Sequence, residues 1–208
     1  CSSRVRIRLT SLYPDSVTNG IIDVLTTSSI FEHHIHYSLQ HISDDVLKKM
    51  GRRYSASEFF RQAELLRSRD SHFSLTSDII VGFPGETETD IYKLSEGIKS
   101  LDMLKVHVFR FSPRPQTLAA SFSAQVLGED KAERMRFIEK AAFQSREKYL
   151  QKLMGELSDV LVEKDAFSGT TGFGYDQYYV PHYISVSGKH ENDFLKVRSI
   201  SFDDKGVK

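Results

Sequence analysis

The stretch Asp78-Ile79-Ile80-Val81-Gly82-Phe83-Pro84-Gly85-Glu86-Thr87 decides how the chain is read. It opens as an apolar run of strand type and breaks at Gly-Phe-Pro-Gly. It then passes through acidic and threonine residues into a helical pattern. Gly82 and Gly85 allow a sharp turn or a close approach of backbone to a ligand. Pro84 fixes one φ angle. Thr87 is placed to cap the helix, with carboxylates at the favourable end of its dipole. Such a unit is half of a βα repeat, and α/β folds bind ligands at the carboxyl ends of their strands. On these residues alone, a ligand turn and an ordinary strand-to-helix turn are equally good readings.

Downstream, Ile91, Leu94, Ile98 and Leu101 recur at helical spacing, and Lys105 to Phe111 alternates as a strand. Ser112-Pro113-Arg114-Pro115-Gln116-Thr117 closes it with a rigid turn. Upstream, Phe73 to Val81 extends the central strand. Before it, Ser55 to Arg69 is an amphipathic helix, and Ser43 or Asp44 caps a shorter one that Gly51 ends. His33 to His41 is a strand carrying four histidines. His34 and His36 share a face, but no thiol or carboxylate stands at metal-ligand spacing. Structural, hydrogen-bonding histidines are therefore expected, and no metal site. Arg4 to Leu12 alternates basic and apolar residues as a first strand. Its arginines Arg4, Arg6 and Arg8 form either an exposed face or a phosphate contact. Strand and helix thus alternate along residues 4–117, as in a parallel sheet with crossover helices.

After the long helix expected over Glu129 to Leu153 the composition changes. Short β-like runs at 157–162, 177–186 and 194–202 are separated by Gly169, Gly172, Gly174 and Gly188. A small all-β module of five or so strands is expected. Tyr175, Tyr178, Tyr179 and Tyr183 are available for stacking on bases or for packing inside the module.

Composition sets outer bounds. The 208 residues suit one large domain or a domain with a small module, and 28 Lys+Arg balance 28 Asp+Glu. Net charge therefore selects no partner, and any nucleic-acid contact needs a local patch. One such bias lies between Val46 and Arg69, where seven basic residues face two acidic ones. The single cysteine, Cys1, excludes a disulfide framework or a cysteine zinc site and fits a reducing compartment. No apolar run approaches the ~20 residues of a membrane span. No secretory signal is visible, so a cytoplasmic location is expected.

Five motifs in order carry a family resemblance. Arg6-Ile7-Arg8-Leu9-Thr10-Ser11-Leu12-Tyr13-Pro14 resembles the R-I-R-x-S-S-x-x-P segment of radical S-adenosylmethionine methylthiotransferases. His36-Tyr37-Ser38-Leu39-Gln40-His41-Ile42-Ser43-Asp44 is similar to that family's H-x-P-L-Q-S-G-S-D. Val46 to Tyr54 resembles V-L-K-x-M-x-R-x-Y, and Asp78 to Thr87 matches D-x-I-V-G-F-P-G-E-T. Phe111 to Ala120 is similar to Y-S-x-R-x-G-T-x-A-A. Three positions depart from the pattern: Ser38 for Pro, Ile42 for Gly and Gln116 for Gly.

The resemblance implies a fold class of α/β. It predicts a partial parallel β/α barrel of the radical SAM type over residues 1–153, N-terminal strands absent. A small all-β module over 154–208 resembles the TRAM module that helps hold RNA. It implies S-adenosylmethionine as cofactor, with Ser11, Gln40, Ser43, Asp78 and Gly82 as cofactor-binding residues. Arg52, Arg53 and Arg114 are the implied RNA- or substrate-binding residues; no catalytic residue is assigned. The family's [4Fe–4S] cluster cysteines lie ahead of this region, so the chain alone is expected not to cleave the cofactor. An unpaired parallel edge is also expected to make the isolated chain poorly stable.

Arg114-Pro115 and Gly174 to Val180 resemble the branch that methylthiolates threonylcarbamoyladenosine in the tRNA anticodon region. Leu39 to Ser43 looks more like the branch that modifies an aspartate of ribosomal protein S12. The first is the leading expectation; a non-catalytic RNA-binding remnant is the alternative of another class.

Overall fold

The computed structural model describes residues 4–164, 171–185 and 191–208. Strands β1 (Ile7–Leu12), β2 (Phe31–Gln40), β3 (Ser74–Val81) and β4 (Lys105–Arg110) form one sheet in that order, every pair parallel. Helices α1 (Asn19–Thr27), α2 (Asp44–Lys49), α3 (Ala56–Arg69) and α4 (Glu88–Ser100) fill the crossovers. A short α5 (Leu118–Ser121) and a 25-residue α6 (Gly128–Lys152) follow β4.

The helix starts are written locally. Thr18 Oγ1 accepts from Ile21 N, and Ser55 Oγ accepts from Glu58 N. Thr87 and Asp90 form a reciprocal capping box at α4. At α2 the expected serine cap is absent. Ser43 instead gives its hydroxyl to Asp90 Oδ1 at 2.6 Å, and Asp44 Oδ1 accepts from Ala56 N at 2.7 Å. The basic bias between Val46 and Arg69 is also partly structural. Arg67 donates to the carbonyls of Leu101 and Asp102 at the end of α4, and Arg69 pairs with Asp23.

One face of the sheet is the core. Ile35, Tyr37, Leu39, Leu75, Ile79 and Val81 pack under the helices with Leu25, Phe59, Leu66, Leu94, Ile98 and Ile138, all buried. The opposite face is polar: Arg8, Thr10, His36, Thr76, Asp78 and His107 lie on it. Parallel strands ordinarily bury both faces in apolar residues. This polar lumen face departs from that rule and leaves room for a ligand.

Helix α6 joins the sheet to the rest. Buried Ser145 Oγ donates to Ile98 O and accepts from Met103 N, both at 2.7 Å. Buried Tyr149 donates to His72 O, and Tyr149, Leu150 and Leu153 form a second core with Leu104, Val180 and Val207. Gly155, at φ +84°, turns the chain into β5 (Leu157–Lys164).

Strands β5, β6 (Thr171–Tyr175), β7 (Pro181–Ser185) and β8 (Phe194–Arg198) form a separate antiparallel sheet, ordered β7-β6-β5-β8. Among the described residues four strands form, supplemented only by isolated bridges of Val207 to His182 and Phe202. The sheet corrects one expectation: Gly172 and Gly174, expected as separators, lie inside β6. A Cβ on Gly174 would collide with the Leu161 carbonyl, so this glycine serves close strand contact rather than a turn. The turn comes later, over Asp176 to Tyr179. Gly169 and Gly188 lie outside the described residues.

In the arginine row at the start of β1, Arg4 and Arg8 are exposed and Arg6 is half-buried, and all three have partners in the second sheet or its β6–β7 turn. Arg4 and Arg6 pair with Asp159, Arg6 also donates to Tyr175 O at 3.0 Å, and both guanidiniums lie over the Phe194 ring. Arg8 stacks on Tyr179 with its guanidinium carbon 3.7 Å from the ring centre. The row is the seam between the two sheets.

Candidate functional site

The site builds from the carboxyl ends of the parallel strands. Three chain positions there are left-handed: Ser11 (φ 59°), Gln40 (φ 66°) and Gly82 (φ 74°). For the two that are not glycine this conformation costs roughly 1–3 kcal/mol each, and it persists only where the surroundings hold it. Strained backbone repeated at neighbouring strand ends makes this rim the candidate site.

A cavity of about 530 Å³ opens at this rim, lined by Gln40, Asp78, Phe109, Phe111 and Arg114 among others. The structure thus brings three sequence-selected residues, Gln40, Asp78 and Arg114, into one cavity. Ser11 and Gly82 stand at the same rim. Ser43 is buried and committed to Asp90, away from that cavity. Arg52 and Arg53 lie in the loop before α3. The Arg52 guanidinium sits 5.1 Å from the Tyr13 ring centre, its buried Nε without a partner, and Arg53 is exposed.

The Gly82 turn is locked from within. Buried Glu86 reaches back to accept from Gly82 N at 2.8 and 3.0 Å, and Arg134 of α6 donates to Glu86 Oε1 at 2.8 Å. His41 Nδ1 accepts from Ser43 N at 2.8 Å, which places its proton on Nε2, facing Glu86 Oε2 at 3.5 Å. That separation is an ion-pair distance but too long for a good hydrogen bond, so His41 Nε2 counts as a buried unsatisfied donor. Lys131 of α6 packs flat on Gly82, and its ammonium donates to Phe111 O at 3.2 Å. Burial opposes the Asp90 charge, but hydrogen bonds from Ser43 and Thr87 outweigh it and hold its pKa below the usual range.

Glu86, Lys131 and Arg134 were not singled out in the sequence. The available signal was Glu86 four residues beyond the glycine, within reach of the turn's own amide.

A polar chain runs along the lumen face to Asp78. His34 Nε2 meets Thr76 Oγ1 at 2.9 Å, Thr76 Oγ1 meets His36 Nδ1 at 2.8 Å, and His36 Nε2 meets Asp78 Oδ2 at 3.2 Å. Burial, with Arg8 nearby, pushes His34 well below the ordinary histidine pKa, so it is neutral and donates through Nε2. One hydroxyl serves both rings when Thr76 donates to His36 Nδ1. His36 Nε2 then stands beside Asp78 at an ion-pair distance without hydrogen-bond alignment. His34 and His36 hydrogen-bond to Thr76, and no group of metal-ligating side chains occurs among the described residues.

Comparison with known proteins gives the class first. Residues 4–96 match the Radical SAM superfamily model. Escherichia coli coproporphyrinogen III oxidase (HemN), a radical SAM enzyme, superposes with a TM-score of 0.56 at 17% identity, covering 67% of this chain and 32% of that one. Methanocaldococcus infernus Elp3 gives 0.50 at 14% identity, covering 96% and 58%. These likenesses show the fold: a mixed α/β radical SAM-type sheet with a separate antiparallel sheet.

The chain is, more narrowly, a homologue of the radical SAM tRNA methylthiotransferases. It is 39% identical to the threonylcarbamoyladenosine tRNA methylthiotransferase MtaB of Thermotoga maritima, over 97% of this chain and 46% of that protein. The Chlamydia pneumoniae MtaB is 32% identical, over 97% and 48%. A tRNA-2-methylthio-N(6)-dimethylallyladenosine synthase of Anaplasma phagocytophilum is 30% identical, over 92% and 44%. The chain spans about half the length of these relatives. No helix among the described residues is long and apolar enough to cross a membrane.

Proposed function

We propose that this chain is the cofactor- and RNA-holding half of a methylthiotransferase that modifies threonylcarbamoyladenosine in the tRNA anticodon region, in the cytoplasm. The reading rests above all on one observation. Gln40, Asp78 and Arg114, drawn from three separated motifs, meet in one cavity at the strand ends. The names borne by the Thermotoga and Chlamydia relatives favour threonylcarbamoyladenosine over dimethylallyladenosine as substrate.

The cavity fits the adenosyl part of S-adenosylmethionine. Its volume suits a small ligand. Phe109 and Phe111 offer apolar walls, while the Asp78 carboxylate and Gln40 amide offer polar ends. When bound, S-adenosylmethionine supplies the radical and methyl chemistry of the superfamily. This chain's residues bind and orient: Asp78 accepts hydrogen bonds from ligand hydroxyl or amino groups, with the His36 ring beside it. Gln40 adds a polar contact, the Gly82 turn shapes the floor, and Arg114 attracts phosphate at the mouth. The donor set does not fit a [4Fe–4S] cluster. One cysteine cannot supply its thiolates, and no step through it is assigned to these residues. We take residues 1–153 as the barrel part and 154–208 as a TRAM-like module.

Isothermal titration of S-adenosylmethionine into the intact enzyme tests the cavity. Gln40→Ala and Asp78→Asn should each weaken binding about tenfold or more, as expected for a lost hydrogen bond to a charged or polar ligand group. Unchanged affinity in both would remove the assignment. Mass spectrometry of tRNA nucleosides from a deletion strain tests the substrate. Loss of the methylthio group from threonylcarbamoyladenosine is expected; its retention alongside loss from dimethylallyladenosine, or a change confined to ribosomal protein S12, would overturn the choice.

A further inference from the structure

A second and larger cleft lies on the same lumen face. It measures about 800 Å³ and runs between the start of β3 and β4 and the module strands β6 and β7. Thr76 and Lys105 mark its sheet side, some six residues before the Gly82 turn. On β3, Thr76 of this cleft stands only two residues before Asp78 of the rim cavity, so the two adjoin along the lumen face, but no residue lines both.

Its charge departs from that of the chain. Arg8, Lys105, Arg146 and Lys205 line it against a single carboxylate, Asp204, although the whole chain is neutral. Arg146 is compensated by a bond to Leu104 O at 3.0 Å and by the nearby Asp203 and Asp204. Among the described residues, no carboxylate stands within ion-pair distance of Arg8, Lys105 or Lys205. Three cations thus face one cleft with no ion pair of their own among the described residues, and that excess of positive charge favours an anionic ligand.

The opposite wall is aromatic. Tyr175 and Tyr179 stack with ring centres 4.3 Å apart and planes 7° from parallel. Tyr179 is held at φ +60°, a strained setting for a bulky residue. Buried Asp176 enforces it. Its Oδ1 accepts from Tyr178 N and Val180 N at 2.9 Å each, and its Oδ2 takes bonds from Ser158 and His182. So much internal bonding spent on one tyrosine's orientation points to use of that tyrosine.

We propose that this cleft seats one nucleotide of an RNA strand, base against Tyr175, which Tyr179 backs, and phosphate among Arg8, Lys105 and Lys205. The nucleotide is distinct from the one presented at the rim, so the cleft anchors the RNA while chemistry occurs elsewhere. The proposal builds on the tRNA reading above. A phosphate carried by a free mononucleotide has the same chemistry, and the test separates the two.

The test is fluorescence anisotropy of a labelled tRNA anticodon stem-loop with the full chain, across a series of salt concentrations. Lys105→Gln/Lys205→Gln should lower the slope of log K against log salt by about two, one for each lysine that no longer neutralises a phosphate. Tyr175→Ser should weaken binding at least about fivefold and leave the slope unchanged, since stacking releases no counter-ions. Lys148→Gln, an exposed lysine of α6 outside the cleft, is the control. Thermal melting by circular dichroism verifies that each variant is folded. An unchanged slope in the lysine double variant overturns the proposal. So does adenosine monophosphate that displaces the stem-loop at micromolar concentration, since a free nucleotide would then be the occupant. If cleft variants bind RNA like the parent while nucleoside analysis still shows tRNA modification, only the cleft is lost. If the parent binds no RNA and modifies none, the tRNA reading falls with it.

Discussion

Replacing Gly82 with alanine loads two separate penalties onto one methyl group. The backbone at φ +74° is left-handed, which costs an L-residue about 1–2 kcal/mol. A Cβ there would also lie 3.1 and 3.2 Å from Lys131 Cδ and Cβ, and closer still to Cγ. These atoms are near the root of a side chain fixed on α6, so they cannot swing clear as a lysine tip would. Overpacking of this kind costs about 1–3 kcal/mol. Together Gly82→Ala should destabilise by about 2–5 kcal/mol, lowering Tm by about 4–20 °C in a domain of this size. Urea unfolding measures the sum, and a double-mutant cycle with Lys131→Ala separates its parts. Removing the lysine should recover the steric share and leave the backbone share. A Gly82→Ala loss below about 0.5 kcal/mol, or no coupling to Lys131→Ala, would refute this account of the turn.

Glu86→Gln should cost about 3 kcal/mol in urea unfolding, because it leaves Arg134 facing a neutral partner at a buried ion pair; an unmoved midpoint would show that the carboxylate does not lock the turn. Ser145→Ala removes both a donor to Ile98 O and an acceptor from Met103 N in the core, for about 2–3 kcal/mol, and a smaller loss would mean that water replaces the hydroxyl. Glu32 gives a pH signature. Burial raises its pKa from 4.5 to about 7 despite Arg6 and Arg8, so the folded chain holds this proton more tightly than the unfolded chain. The resulting stability is complete below pH 4.5 and is lost as pH rises through 7. Glu32→Gln should therefore gain on the parent across that window, by up to about 3 kcal/mol before screening is discounted. A pH-independent difference in melting free energy would exclude it.

Local chemistry made the sheet readable. The turn after β3 announced itself because Gly82 and Gly85 supply left-handed backbone and Thr87 supplies a cap, each within a few residues. The same local logic failed at β6, where Gly174 answers to Leu161 across a strand pair rather than to its own neighbours. The pairing of the first two arginines was hidden for a related reason. Arg4 and Arg6 find Asp159 more than 150 residues away, a distance no periodicity spans. At the rim, Asp78 and Gln40 were legible as motif residues, but the left-handed φ of Gln40 was not, since nothing in a glutamine advertises it. Glu86 was hidden by its company: carboxylates near a helix start are ordinary, and only the fold turns this one back onto Gly82.

Helix α6 touches both working ends of the molecule. Lys131 and Arg134 brace the Gly82 turn, while Arg146 borders the tyrosine cleft and Tyr149 anchors the module core. At about 1.5 Å per residue, the eighteen steps from Lys131 to Tyr149 make a rod of roughly 27 Å. The rod acts as a gauge block, setting the gap between rim and cleft by residue count rather than by loop flexibility. One residue inserted in its middle would lengthen it by about 1.5 Å and turn one end by about 100°. The tyrosine wall would then no longer face the lumen that the Gly82 turn closes.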